Sequence, residues 1–184
     1  MKRLALALAL AGSCAFGMTT AASPAFALET WEAKMEASDA ASQARVDMAD
    51  AFGDKQLRPG QYLWRDVPDD AGAERVVISL TDQLAYVYRG DTLMAVTTIS
   101  SGRDDKPTPT GIFSVFNKTP FYRSKKYDNA AMPFAQFFDP AGIALHAGVV
   151  GNSPNSHGCV HLPTAFAKKL YSVTPVGTPV YIGA

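Results

Sequence analysis

The stretch Glu74 to Ser100, ERVVISLTDQLAYVYRGDTLMAVTTIS, constrains the fold more than any other part of the chain. Its β-branched and aromatic runs are broken by Asp82-Gln83 and Gly90-Asp91. Such residues fit a pleated, half-buried surface, and two-residue breaks carrying Gly or Asp are what tight hairpins require. The segment is expected to form successive antiparallel hairpins. GIFSVFN from Gly111, MPFAQFF from Met132, GIALHA from Gly142 and TPVYIG from Thr178 are further strand candidates. In this half only TAFAKKLYSV reads as a helix, with Thr164 as its cap and Phe166, Leu170 and Val173 on one face. The strand count and turn chemistry point to an all-β sandwich or barrel-like domain over residues 71–184.

The part before it has a different texture. Leu28 to Gly53 is rich in Ala, Glu, Asp and Met and reads as one helix with a weak apolar stripe of Trp31, Met35, Val46 and Phe52, ending at Gly53. A Pro59-Gly60 turn and the polar stretch RDVPDDAGAE then form a linker, so residues 28–70 are read as a helical extension and linker.

At the start, Met1-Lys2-Arg3 precedes LALALALAGSCAFGM and the small-x-small sequence Ala25-Phe26-Ala27. A short basic start, an apolar run too short to span a bilayer comfortably and this ending read as a secretory signal peptide over residues 1–27, cleaved after Ala27. The expected location is therefore the periplasm or cell envelope, with no integral membrane segment after cleavage. A retained anchor and a lipid-modified Cys14 are the alternatives. Cleavage also removes Cys14 and leaves Cys159 as the one cysteine, so no internal disulfide is available. Seventeen basic and seventeen acidic residues give a formal net charge of zero, which provides no electrostatic footprint for nucleic acid.

Chemistry concentrates near the C-terminus. Two of the three histidines, His157 and His161, flank Cys159 in SHGCVHLP, and the third, His146, ends the strand candidate GIALHA. The intervening residues are rich in Gly, Asn, Ser and Pro, which is the texture of a functional loop carried on a rigid scaffold. A cysteine attacks a carbonyl as thiolate, and its ordinary pKa of about 8.5 keeps it protonated at neutral pH, so it needs a base such as histidine. In an extended segment His157, Cys159 and His161 would share one face, which leaves the identity of the base open. Gly158 lets a substrate carbonyl approach the backbone, where the amides of Gly158 and Cys159 can serve as an oxyanion hole. The same four side chains, His146, His157, Cys159 and His161, are also zinc ligands, so a metal-binding module is the rival reading.

SHGC preceded by a histidine at a strand end resembles the signature of the L,D-transpeptidase (YkuD-type) catalytic domain family. VVISLTDQLAYVYRGDTLMAVTTISSG is similar to that domain's opening strands, KPTPTGIFSV to its Pro-Thr-Pro-x-Gly segment and GTPVYI to its closing strand. The resemblance implies a mostly β fold, a YkuD-type β-sandwich with one or two short helices, here preceded by the helical N-terminal extension. It also implies an enzyme that forms 3→3 cross-links between peptidoglycan stem peptides through a cysteine thioester, releasing D-alanine. By motif position Cys159 matches the nucleophile and His146 the proton acceptor and donor. Ser156, His157 and Gly158 match the loop that shapes the site and supplies oxyanion amides, and the Ala147 carbonyl matches the group that orients the imidazole. No metal or organic cofactor is implied, and carbapenem-type inhibitors are implied as ligands. FYRSKKYDNAAMPFAQF resembles the segment flanking the substrate groove, with Tyr122, Tyr127 and Met132 as its wall, and Lys125-Lys126 reads as a solvated pair.

Two departures stand out. His161 occupies the position where the family commonly has Arg, which makes it a candidate substrate contact or loop brace, and the His146 to Ser156 gap is short. Water as acceptor would make the chain an L,D-carboxypeptidase, and a wall-binding scaffold with a spent site is a third reading.

Overall fold

The computed structural model describes residues 27–68 and 74–184. Residues 1–26 of the expected 1–27 leader, the lipidation alternative at Cys14 and the expected linker boundary at residue 70 lie outside the described residues. The elements in chain order are β1 (Ala27–Leu28), α1 (Trp31–Phe52), β2 (Tyr62–Trp64), β3 (Glu74–Ser79), β4 (Leu84–Arg89), β5 (Thr92–Thr98), β6 (Gly111–Ser114) and β7 (Asn117–Thr119). There follow β8 (Ala135–Asp139), β9 (Ile143–Ala147), β10 (Val160–Leu162), α2 (Thr164–Val173) and β11 (Pro179–Gly183).

They build two sheets, β1-β6-β11-β3-β4-β5-β2 and β10-β9-β8-β7. The expected mostly β architecture with an N-terminal helix and one short later helix is what the chain adopts. Gly90-Asp91 makes the anticipated two-residue hairpin, with Arg89 opposite Thr92. Not every pairing is antiparallel: β11 runs parallel to β3, and β10 runs parallel to β9. A parallel pair needs a crossover of about a dozen residues rather than a tight turn. Residues 148–159, between β9 and β10, are that crossover.

The two sheets close over one core that includes Ile78, Phe113, Phe138, Leu145, Leu162, Phe166 and Leu170. Each fully buried side chain of this size contributes roughly 1.5–3 kcal/mol relative to exposure. Phe166 of α2 meets the rings of Tyr62 and Trp64 edge-on, each at 5.5 Å, which ties β2 to the same core. Thr164 is the first residue of α2 and not its cap. Pro163 occupies the cap position and gives no side-chain hydrogen bond. The helix is fixed instead by its buried face and by Lys118, whose Nζ donates to the carbonyls of Tyr171 and Thr174 at its C-terminal end.

Helix α1 forms where expected, with Thr30 Oγ1 accepting from the Ala33 amide and Gly53 closing the other end at φ +73°. Its buried face is a different one. Ala33, Ala37, Ala41, Ala44 and Met48 pack on the first sheet, while Trp31 (73%), Met35 (45%) and Val46 (53%) are exposed. The reason is distance: a Cβ on Gly183 of β11 would lie 2.6 Å from the Ala37 carbonyl oxygen. A helix backbone this close to a strand leaves room only for alanine-sized side chains along the contact. The outer face of the first sheet, with Val77, Tyr86, Tyr88 and Val96, is thereby covered.

Candidate active site

Strand alternation in the second sheet decides which residues meet. Leu145 and Ala147 of β9 and Val160 and Leu162 of β10 enter the core, so Ala144, His146 and His161 take the opposite face. The parallel register sets His161 beside His146, and their rings meet edge to face at 4.9 Å and 68°. Cys159, the residue before β10, packs with Ala144, Met132, Phe137 and Tyr122 on that face. Cys159, His146, His157 and His161 all line one cavity of about 380 Å³, walled by Tyr127 and Met132 from the segment between β7 and β8.

His146 is only 5% exposed. Its Nδ1 lies 2.9 Å from the Ala147 carbonyl oxygen. A carbonyl only accepts, so Nδ1 carries the proton in the neutral ring and Nε2 keeps its lone pair. Burial lowers the His146 pKa to about 4, with the Ala147 hydrogen bond opposing and the neighbouring His161 adding slightly. Burial pushes the Cys159 thiol up, against a backbone hydrogen bond with Ala144. Both groups therefore rest neutral at neutral pH. The thiol lies 4.0 Å from the Gly142 carbonyl oxygen and makes no hydrogen bond to the His146 ring.

The expectation of an extended run through His157 does not hold, because extension begins only at Val160. Before it the chain turns. Ser156 Oγ donates to the Cys159 carbonyl at 2.5 Å and accepts from the Gly158 amide at 3.1 Å. Gly158 has φ +110°, a conformation that side chains disfavour. His157 consequently turns outward and stacks on Tyr127, at 4.3 Å and 23°. The oxyanion expectation narrows as well. The Gly158 amide is taken by Ser156, and the Ser156 amide donates to the Ser101 carbonyl at 3.0 Å. Those of His157 and Cys159 are the amides left in this turn. Tyr122 does not line the cavity. Its ring sits edge-on against Phe137 at 5.0 Å and supports the wall from below.

A family model described as YkuD, L,D-transpeptidase catalytic domain, matches residues 73–182. The chain belongs to this family.

Solved L,D-transpeptidases share the fold. One from Mycobacterium smegmatis is 20% identical, with TM-score 0.57 over 60% of this chain and 58% of its own. One from Stackebrandtia nassauensis is 25% identical, with TM-score 0.57 over 76% of this chain and 66% of its own. A third, an LD transpeptidase in complex with imipenem, is 21% identical, with TM-score 0.55 over 60% of this chain and 58% of its own. The chain thus spans 58–66% of the length of these proteins. No curated protein matches it.

The structure adds residues around this cavity that the L,D-transpeptidase family motif does not name. Thr108 Oγ1 donates to the Gly158 carbonyl at 2.8 Å and accepts from the Gly102 amide at 2.9 Å. A Cβ at Gly102 would lie 2.1 Å from the Lys106 carbonyl oxygen and 2.9 Å from Gly158 Cα, so three backbones converge there. Ser100 Oγ accepts from the Gly151 amide at 2.9 Å and donates to the Ser153 carbonyl at 3.2 Å, which moors the crossover to the first sheet. Gln83, at φ +52°, holds Ser101 through both its amide and its hydroxyl. The Pro-Thr-Pro and Ser-Ser-Gly sequences were the available signals, since residues chosen for backbone contact cluster at such turns. Among the described residues, no three His, Cys, Asp or Glu side chains gather so as to hold a metal ion.

Proposed function

We propose that the chain is a peptidoglycan L,D-transpeptidase, exported by its basic-then-apolar start, that forms 3→3 cross-links through a thioester on Cys159. The observation that carries this reading is that Cys159 and His146 open onto one cavity, with His146 Nδ1 committed to the Ala147 carbonyl and Nε2 left as a base. As a tetrapeptide stem binds, Sγ attacks the carbonyl between its third residue and the terminal D-alanine, and the thiol proton passes to His146 Nε2. The developing oxyanion is met by the amides of Cys159 and His157. The C–N bond then breaks, His146 returns the proton to the departing D-alanine amine, and a thioester remains. The side-chain amine of a second stem attacks the thioester and loses a proton to His146, which passes it back to Sγ as the cross-link forms.

Because both groups rest neutral, the proton moves during attack rather than before it. The segment carrying Tyr127 and Met132 walls the cavity beside the thiol and limits water, the competing acceptor that would give L,D-carboxypeptidase products. A related LD transpeptidase is in complex with imipenem. A carbapenem is accordingly the simplest acylating probe for Cys159.

The test is the intact mass of the mature protein after exposure to imipenem and, separately, to a tetrapeptide stem. Wild type gains one adduct with each reagent and Cys159→Ala gains neither. A folded wild type left unmodified by both reagents overturns the reading. Product analysis with two stems separates cross-linking from hydrolysis.

A further inference from the structure

We infer that His161 is a positioning residue for the proposed acyl transfer, matched to Gly148, holding both the His146 ring and the crossover rather than contacting substrate. This inference rests on the transpeptidase reading above. Three sets of contacts carry it. First, the parallel register lays the His161 ring edge to face against His146, so the catalytic imidazole is backed by a ring as well as oriented by the Ala147 carbonyl. Second, His161 Nδ1 faces Asn155 Oδ1 at 3.1 Å and the Val149 carbonyl at 3.3 Å, both acceptors, so its proton holds residues 149 and 155 of the crossover together. Its backbone is fixed in turn by reciprocal hydrogen bonds with Ser100, at 2.9 and 3.1 Å. Third, the ring occupies the space above Gly148, where a Cβ would lie 2.7 Å from His161 Cγ. Gly148 is not in a left-handed conformation, so the missing side chain serves this ring and not the backbone.

Among the described residues, the other titratable groups facing this cavity are Cys159, His157 and Tyr127, and no Asp, Glu, Lys or Arg lines it. Lys126, on the walling segment, lies 5.6 Å from the Tyr127 ring centroid. Removing the His161 ring therefore changes the solvation of His146 without removing a fixed charge.

The test separates the ring from its proton. His161→Phe keeps an aromatic edge and loses the donor, whereas His161→Asn keeps an N–H at the position of Nδ1 and loses the ring. Each variant, as mature full-length chain, is followed by hydrogen exchange and by the pH dependence of acylation with imipenem. In the Phe variant the amides of residues 149–155 exchange at least tenfold faster, while the acid limb of acylation stays in place. In the Asn variant exchange stays near wild type and the acid limb moves up by a pH unit or more, toward the ordinary histidine value. Gly148→Ala slows acylation at least tenfold in wild type and less than threefold in a His161→Ala background, because the Cγ and Cδ2 atoms that the new Cβ would strike have gone. Unchanged exchange and acid limb in both ring variants, or equal effects of Gly148→Ala in both backgrounds, overturns the inference. A loss confined to the KM for stem peptides makes His161 a substrate contact and also overturns it. If wild type does not react with imipenem the transpeptidase reading fails, while the exchange data still decide whether His161 holds the crossover.

Discussion

The Thr108 hydroxyl is bound at both ends, donating to the Gly158 carbonyl at 2.8 Å and accepting from the Gly102 amide at 2.9 Å. A side chain fifty residues away in sequence thus fixes the residue beside Cys159. Thr108→Val keeps the shape and leaves a buried carbonyl and amide unpaired, at a cost of about 1–3 kcal/mol. Denaturant midpoints should fall accordingly and Cys159 acylation should slow at least tenfold. Thr108→Ser should recover most of both, and a Val variant as active as wild type would refute the role.

Stability should decline as the solution is acidified through the histidine range. His146 titrates near pH 4 when folded and near 6.5 when unfolded, so between these values the unfolded chain binds more protons. Stability is full above about pH 6.5 and falls until about pH 4, by on the order of 3 kcal/mol from this group. Burial lowers His161 in the same direction. Denaturation series across that range should show the slope, and His146→Gln should reduce it.

The same shift governs chemistry. With His146 neutral down to about pH 4, the acid limb of acylation should lie below the ordinary histidine value. The thiol is shifted upward, so iodoacetamide should alkylate Cys159 more slowly at pH 7 than it does a cysteine in an unfolded peptide. Faster alkylation would mean a resting thiolate–imidazolium pair.

Gly183→Ala tests the helix contact. The new Cβ would lie 2.6 Å from the Ala37 carbonyl oxygen, so α1 must shift. Overpacking of this kind costs about 1–3 kcal/mol. Melting should drop, while the acylation rate of the folded protein stays within twofold, since the site lies on the second sheet.

The hairpins of residues 74–98 were legible because each strand's pattern and its turn residues are local. So was the lining of one cavity by Cys159 and His146, through the motif's resemblance to its family. The face of α1 was not legible: hydrophobicity favoured Trp31 and Met35, but the closeness of β11, at the far end of the chain, selected the alanines. Nor could alternation place His157, since the turn made by Ser156 and Gly158 interrupts the extended run. Thr108 and Gln83 carry no chemical signature. Their importance comes from whose backbone they touch, which only the assembled sheets determine.

The parallel pairing of β9 with β10 makes the placing of Cys159 and His161 against His146 a matter of alignment. Slipping one strand by a single residue would turn Cys159 and His161 into the core and bring Val160 out, a change the fold resists strongly. A slip of two would keep every face correct and still part the histidines by about 7 Å, two rises of a strand. Hydrophobic burial alone tolerates that second error. The reciprocal bonds between Ser100 and His161 and the mooring of residues 151–156 reject it, so the polar ties around the crossover act as an alignment pin: they guard against a misassembly that would leave the protein folded and inert.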